Sequence, residues 1–137
     1  MRALGEVIAK RLRSGDVIVL HGPLGAGKTA LTQGIGNGLG ISGVTSPTFV
    51  ISRVHEGKLR LNHVDAYRLR DLDQSSFQFD DLDIDTEGAV IVIEWGEGLV
   101  ERLSNEYLLI SIAFGDSETE RVLKAQPHGD RWQGFEL

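Results

Sequence analysis

The chain has no cysteine. That removes disulfides, thiolate zinc sites and cysteine nucleophiles, and it fits a reducing cytoplasm. Nor is there an apolar run long enough to cross a bilayer. The first residues, Met1 to Arg13, carry charges through their apolar positions, so no signal-peptide core is expected. Positive charge is in short supply as well. Fourteen Lys and Arg stand against twenty Asp and Glu, for a net charge of -6, a balance that argues against a surface binding DNA or RNA by itself. His21, His55, His63 and His128 show no metal-ligand spacing. Asp81-Leu-Asp83-Ile-Asp85 lacks the central glycine and closing glutamate of an EF-hand loop, so the seven carboxylates from Asp71 to Glu87 read as a mainly solvated face. No Asn-Lys-x-Asp stretch encodes guanine selectivity. No arginine-rich lid or inserted acceptor domain favours a kinase. Repeats and linkers are missing, and 137 residues suit one domain, 1–137, able to bury a core.

What is present centres on Gly22-Pro23-Leu24-Gly25-Ala26-Gly27-Lys28-Thr29, which fits the phosphate-loop pattern of Gly, four residues, and Gly-Lys-Ser/Thr. Asp16 to His21 before it is an apolar run of strand length. Ala30-Leu31-Thr32-Gln33-Gly34-Ile35 after it resumes at helical spacing. The glycines let backbone N–H groups turn inward around phosphate oxygens, and the helix N-terminus adds partial positive charge. Lys28 brings a point charge to the outer phosphates, and the Thr29 hydroxyl suits a magnesium ion.

Around this loop, Leu4, Ile8 and Leu12 predict an amphipathic helix closed by Ser14-Gly15-Asp16. Val17 to Leu20 is apolar on consecutive residues, the pattern of a strand buried on both faces of a parallel sheet. The helix after the loop extends to about Leu39 despite Gly34, Gly36 and Gly38, for which close packing against the sheet is one explanation. Thr45-Ser-Pro-Thr48 is either a strand start or a hydroxyl-rich loop sensitive to nucleotide state. Phe49 to His55 and Leu59 to Asp65 predict a β-hairpin, hence a mixed sheet. Asp65 is either a crevice carboxylate or a surface acid in a turn, and His63, on the same strand face, reads as a packed or hydrogen-bonded histidine. Ala89 to Glu94 is a buried strand ending in an acid, as phosphate-loop enzymes need to hold magnesium or to orient water. Trp95 either joins the core or shields the site. Tyr107 to Phe114 reads as a strand with Thr119 to Ala125 as its hairpin partner. From Gln126 to Leu137 no period is visible: Trp132 and Phe135 dock on the body, or the tail is loose.

Together, the loop at 22–29, Thr45-Ser-Pro-Thr-Phe49, His63-Val-Asp65-Ala-Tyr67-Arg68-Leu69 and Glu94-Trp95 resemble the TsaE family of small bacterial ATPases needed for the threonylcarbamoyladenosine modification of tRNA. The resemblance runs from about Leu4 to Arg121. It implies an α/β, three-layer P-loop NTPase-like fold with a mixed central sheet flanked by helices, ATP with Mg2+, and partnership with TsaD and TsaB, tRNA being reached only through that complex. By similarity, Thr29 and Glu94 hold magnesium, Asp65 supports hydrolysis, and Trp95 and Arg121 lie beside the nucleotide. Lys28, Asp65 and Glu94 are thus the catalytic candidates. Hydrolysis is expected to be slow without partners. Arg68 is a candidate for partner contact or transition-state charge, or else a surface salt bridge. Two positions depart from the family pattern. Met1 stands about where a threonine near the nucleotide is common, so that contact is lost or the start is trimmed, and Pro23 replaces an acidic residue. A small-molecule kinase and a non-hydrolysing, nucleotide-switched binding module are the alternative readings.

Overall fold

The computed structural model describes residues 1–23, 25–44, 52–65, 87–94, 100 and 104–136. Among them are helices α1 (Arg2–Ala9) and α2 (Lys28–Gly38), and strands β1 (Val17–His21), β2 (Ser52–His55), β3 (Arg60–Asp65), β4 (Ala89–Glu94), β5 (Tyr107–Phe114) and β6 (Arg121–His128). The strands form one sheet in the order β2-β3-β4-β1-β5-β6. The four inner strands β3, β4, β1 and β5 run parallel, and β2 and β6 close the two edges antiparallel. The sheet is mixed, as the hairpin at 49–65 predicts.

Consecutive apolar residues in β1 and β4 follow from their central place. Val17 to Leu20 and all of β4 are buried, because alternate side chains point to opposite faces and both faces are covered. One face carries Ile18, Leu20, Leu61, Val90, Val92, Leu108 and Ile110 against Ile8 of α1 and Leu31 and Ile35 of α2. The other packs Val17, Val19, Val64, Ile91 and Ile93 with Val100.

Helix α1 ends at Ala9, short of the turn expected at Ser14. From there the chain tightens, with Arg11 N donating to Ile8 O (2.9 Å) and Leu12 N to Ala9 O (3.2 Å), bonds that span three residues. Leu12 still packs on the core, so the apolar spacing was right about burial and too long about the helix. The glycines of α2 have a different partner from the one expected. A Cβ on Gly34 would stand 2.8 Å from the Arg2 carbonyl carbon, and one on Gly5 would stand 2.6 Å from Ile35 N. These glycines let α1 and α2 cross backbone to backbone, and the sheet is not what they accommodate.

The C-terminal stretch corrects a second expectation. β6 runs to His128, three residues past Ala125, and starts at Arg121. Pro127 is tolerated because β6 is an edge strand whose outer side needs no donor. A 3₁₀ turn at Asp130–Trp132 then seats Trp132, 1% exposed, and Phe135 in the helix-side core, edge to face at 5.4 Å. Of the two readings of this tail, docking is the one realised. Among the described residues no helix is long and apolar enough to cross a membrane.

Candidate functional site

The C-terminal ends of the parallel strands share one edge of the sheet. The phosphate loop leaves β1 there, and register pairs Leu20 and Asp65 with Glu94 on either side. Asp65 of β3 and Glu94 of β4 are therefore neighbours beside the loop, placed by strand order across 29 residues of chain.

Within the loop the glycines have separate reasons. Gly25 (φ 79°) and Gly27 (φ 113°) take left-handed backbone, which residues with a Cβ rarely adopt. Gly22 does not. Its Cβ would lie 2.5 Å from the Ile112 carbonyl oxygen of β5, so glycine there answers a close approach and not a turn. Ala26 is fully buried, and its N–H donates to Pro23 O at 3.1 Å. Gly27 caps α2 without a side-chain hydrogen bond, and a helix N-terminus of this kind, at the end of a glycine loop, is where anions bind. Leu24 lies outside the described residues.

Lys28 is buried and its Nζ donates to Gly22 O (2.6 Å) and Pro23 O (3.0 Å). Burial lowers its pKa from the ordinary 10.5, while the Glu94 and Asp65 carboxylates pull it back up. The three catalytic candidates thus sense one another. Glu94 is 6% exposed, and its Oε2 accepts from Nε2 of the fully buried His63 at 3.0 Å. Asp65, half-buried, lies at the sheet edge expected of a crevice carboxylate.

Arg121 acts on the loop from the far side. Its Nε donates to Ala26 O (3.1 Å) and Nη2 to Gly25 O (3.4 Å), while Nη1 bonds Glu118 O and Glu120 O and the guanidinium rests 4.4 Å over the Phe114 ring. Met1, Leu4, Gly25, Ala26, Gly27, Thr119, Arg121 and Leu123 line a cavity of about 420 Å³ next to the loop. Met1 contributes an apolar wall. Sequence reasoning missed this cavity, since its walls come from α1, the loop and β6. Thr29 sits in the first turn of α2, half-buried. Trp95, Arg68, Thr45 to Thr48 and the acidic stretch 71–86 lie outside the described residues.

Among the described residues no group of three or more His, Asp or Glu side chains is arranged to hold a metal. A hydroxyl and one or two carboxylates beside a phosphate loop nonetheless fit magnesium, which takes few protein ligands and completes its octahedron with water and phosphate oxygens. The glycine loop and the helix N-terminus it leads into fit a polyphosphate.

This loop on a mixed sheet, with acids at the adjacent strand ends, defines an α/β protein of the P-loop NTPase-like fold. The chain belongs to the TsaE family: the family described as "Threonylcarbamoyl adenosine biosynthesis protein TsaE" matches residues 1–123. The tRNA threonylcarbamoyladenosine biosynthesis protein TsaE of Streptomyces coelicolor is 51% identical, covering 96% of this chain and 93% of that one. The protein of the same name from Mycobacterium tuberculosis is 49% identical over 94% of this chain and 78% of its own. The crystal structure of Bacillus subtilis YdiB superposes with a TM-score of 0.75 at 32% identity, covering 96% of this chain and 80% of that one.

Proposed function

We propose that the protein is a magnesium-dependent ATPase that works with TsaD and TsaB in forming threonylcarbamoyladenosine in tRNA. The observation that carries this reading is the convergence of Lys28, Asp65 and Glu94 on one phosphate loop in a chain of the TsaE family.

In this reading the Lys28 ammonium exchanges the Gly22 and Pro23 carbonyls for the outer phosphate oxygens of ATP. The loop and α2 N–H groups hold the remaining phosphate oxygens. Thr29 and Glu94 would hold Mg2+, which would supply neutralisation of the phosphate charge that builds up during transfer. Asp65 orients the attacking water, whose oxygen bonds to the γ-phosphorus as the bond to the bridging oxygen breaks, giving ADP and phosphate. Arg121 keeps the loop carbonyls of Gly25 and Ala26 turned outward, so that the N–H groups face the ligand. Since the chemistry is mostly positioning and charge stabilisation, a partner that orders one loop or supplies one cation can change the rate by orders of magnitude.

The test is phosphate release from ATP and Mg2+ by the protein alone and with TsaD and TsaB, using Lys28→Ala as the blank. A weak basal rate that rises with the partners supports the reading. Tight ATP binding without release in either setting overturns it in favour of a nucleotide-switched binding module. Phosphorylation of an added acceptor would point to a kinase.

A further inference from the structure

We propose that His63 is a positioning residue for Glu94, resting on the reading of Glu94 as a magnesium-holding carboxylate. β3 and β4 pair in parallel with His63 opposite Val92 and Asp65 opposite Glu94. His63, Asp65 and Glu94 share one face of the sheet, because residues two apart on a strand point the same way and directly opposed residues match. On that face the His63 ring is fully buried among Leu61, Val90 and Val92.

A carboxylate accepts only, so the 3.0 Å contact makes Nε2 the protonated nitrogen. Nδ1 has no hydrogen-bond partner among the described residues, which suits the bare nitrogen of that tautomer. A ring fixed by packing at two torsions holds Oε2 in one place. Glu94 left alone would choose among several rotamers, including those that lean toward the Lys28 ammonium, whose charge it feels. With Oε2 taken by His63, the second oxygen is kept for the cation side of the phosphate loop. A histidine that hydrogen-bonds a ligating carboxylate is a recurrent outer-shell device whose loss weakens metal binding or activity about 10–100-fold. Packing alone does not explain it, since an aliphatic side chain would fill this face without a polar atom to satisfy.

The experiment measures affinity for a fluorescent ATP analogue with and without Mg2+, together with the imidazole ¹⁵N spectrum of the ligand-free protein. In the wild type the His63 ring, assigned by its loss in His63→Gln, should be protonated at Nε2, and that resonance should move in Glu94→Ala. His63→Leu should lower the magnesium-dependent gain in affinity about 10–100-fold with magnesium-free affinity unchanged. His63→Gln, whose amide nitrogen reaches close to the Nε2 position, should restore the gain to within a few-fold. In a Glu94→Ala background, His63→Leu should add nothing. The Gln variant and its melting temperature guard against a folding artefact. An undiminished gain in His63→Leu, a further loss in the Glu94→Ala background, or no rescue by Gln overturns the proposal alone. Absence of any magnesium-dependent gain in the wild type overturns the reading of Glu94, and the proposal with it.

Discussion

Gly34→Ala should destabilise the protein even though alanine is the better helix former. In an unencumbered helix the exchange stabilises by about 1 kcal/mol. Here the new methyl would run into the Arg2 carbonyl group, with the Arg2 Cα only 2.8 Å away. Backbone cannot rotate aside as a side chain can, so α1 must move off α2, loosening Ile8 and Ala9 from the core they share with Leu31 and Ile35. Overpacking of this kind costs about 1–3 kcal/mol, or more where backbone must shift. With a cost near the upper end of that range, a net loss of about 2 kcal/mol is expected, worth roughly 6–10 °C in melting temperature for a chain of this size. Asn37→Ala, exposed on the same helix, supplies the contrast and should gain about 0.5 kcal/mol by propensity alone. The assay is thermal unfolding of both variants beside the parent. A Gly34→Ala protein as stable as the parent, or more so, would refute the claim that this glycine is required by the helix crossing. The same shift should weaken nucleotide binding, since Met1 precedes α1 and its Cε stands 3.1 Å from where a Cβ on Gly27 would be.

Three further outcomes follow from the site and the core. Glu94→Ala should retain the magnesium-independent part of nucleotide binding while phosphate release falls by about 100-fold or more; unchanged turnover would remove Glu94 from the chemistry. Lys28 has its pKa lowered by burial, so between that lowered value and 10.5 the unfolded chain binds its proton more tightly than the folded one. Stability from this residue therefore rises as pH rises through that window. Lys28→Met should remove that slope in urea unfolding series and lose nucleotide binding, and a slope equal to the parent's would contradict the argument. Arg131→Ala should cost about 2–4 kcal/mol in urea unfolding, because Asp16 is buried and receives Arg131 Nε and Nη2, both at 2.8 Å, and would be left short of a cation. Arg131→Lys should recover only part, lacking the two-pronged donor, and full stability in the alanine variant would show the pair to be idle.

Features carried by neighbouring residues were legible from composition and order alone. The phosphate loop, its strand and its helix occupy one stretch, and their chemistry is written in adjacent residue types, Gly25, Gly27, Lys28 and Thr29. The buried parallel strands β1 and β4 announced themselves by unbroken apolar runs, and Glu94 at the end of β4 was visible as a break in the pattern. Even there the physical reason was sometimes different: Gly22 is a glycine because β5 passes close, a fact about a strand some 90 residues later. Whether Asp65 faced a crevice or a turn could not be read locally, since both positions show the same residues. The strand order β3-β4-β1 put it beside Glu94. The His63 to Glu94 hydrogen bond, the crossing of α1 and α2 through Gly5 and Gly34, the hold of Arg121 on the loop and the seating of Trp132 and Phe135 all join residues far apart in the chain. Such contacts depend on register and layer packing, in which a one-residue slip turns every side chain of a strand to the other face. Local order wrote the loop's chemistry, and the folded sheet chose the side chains that surround it.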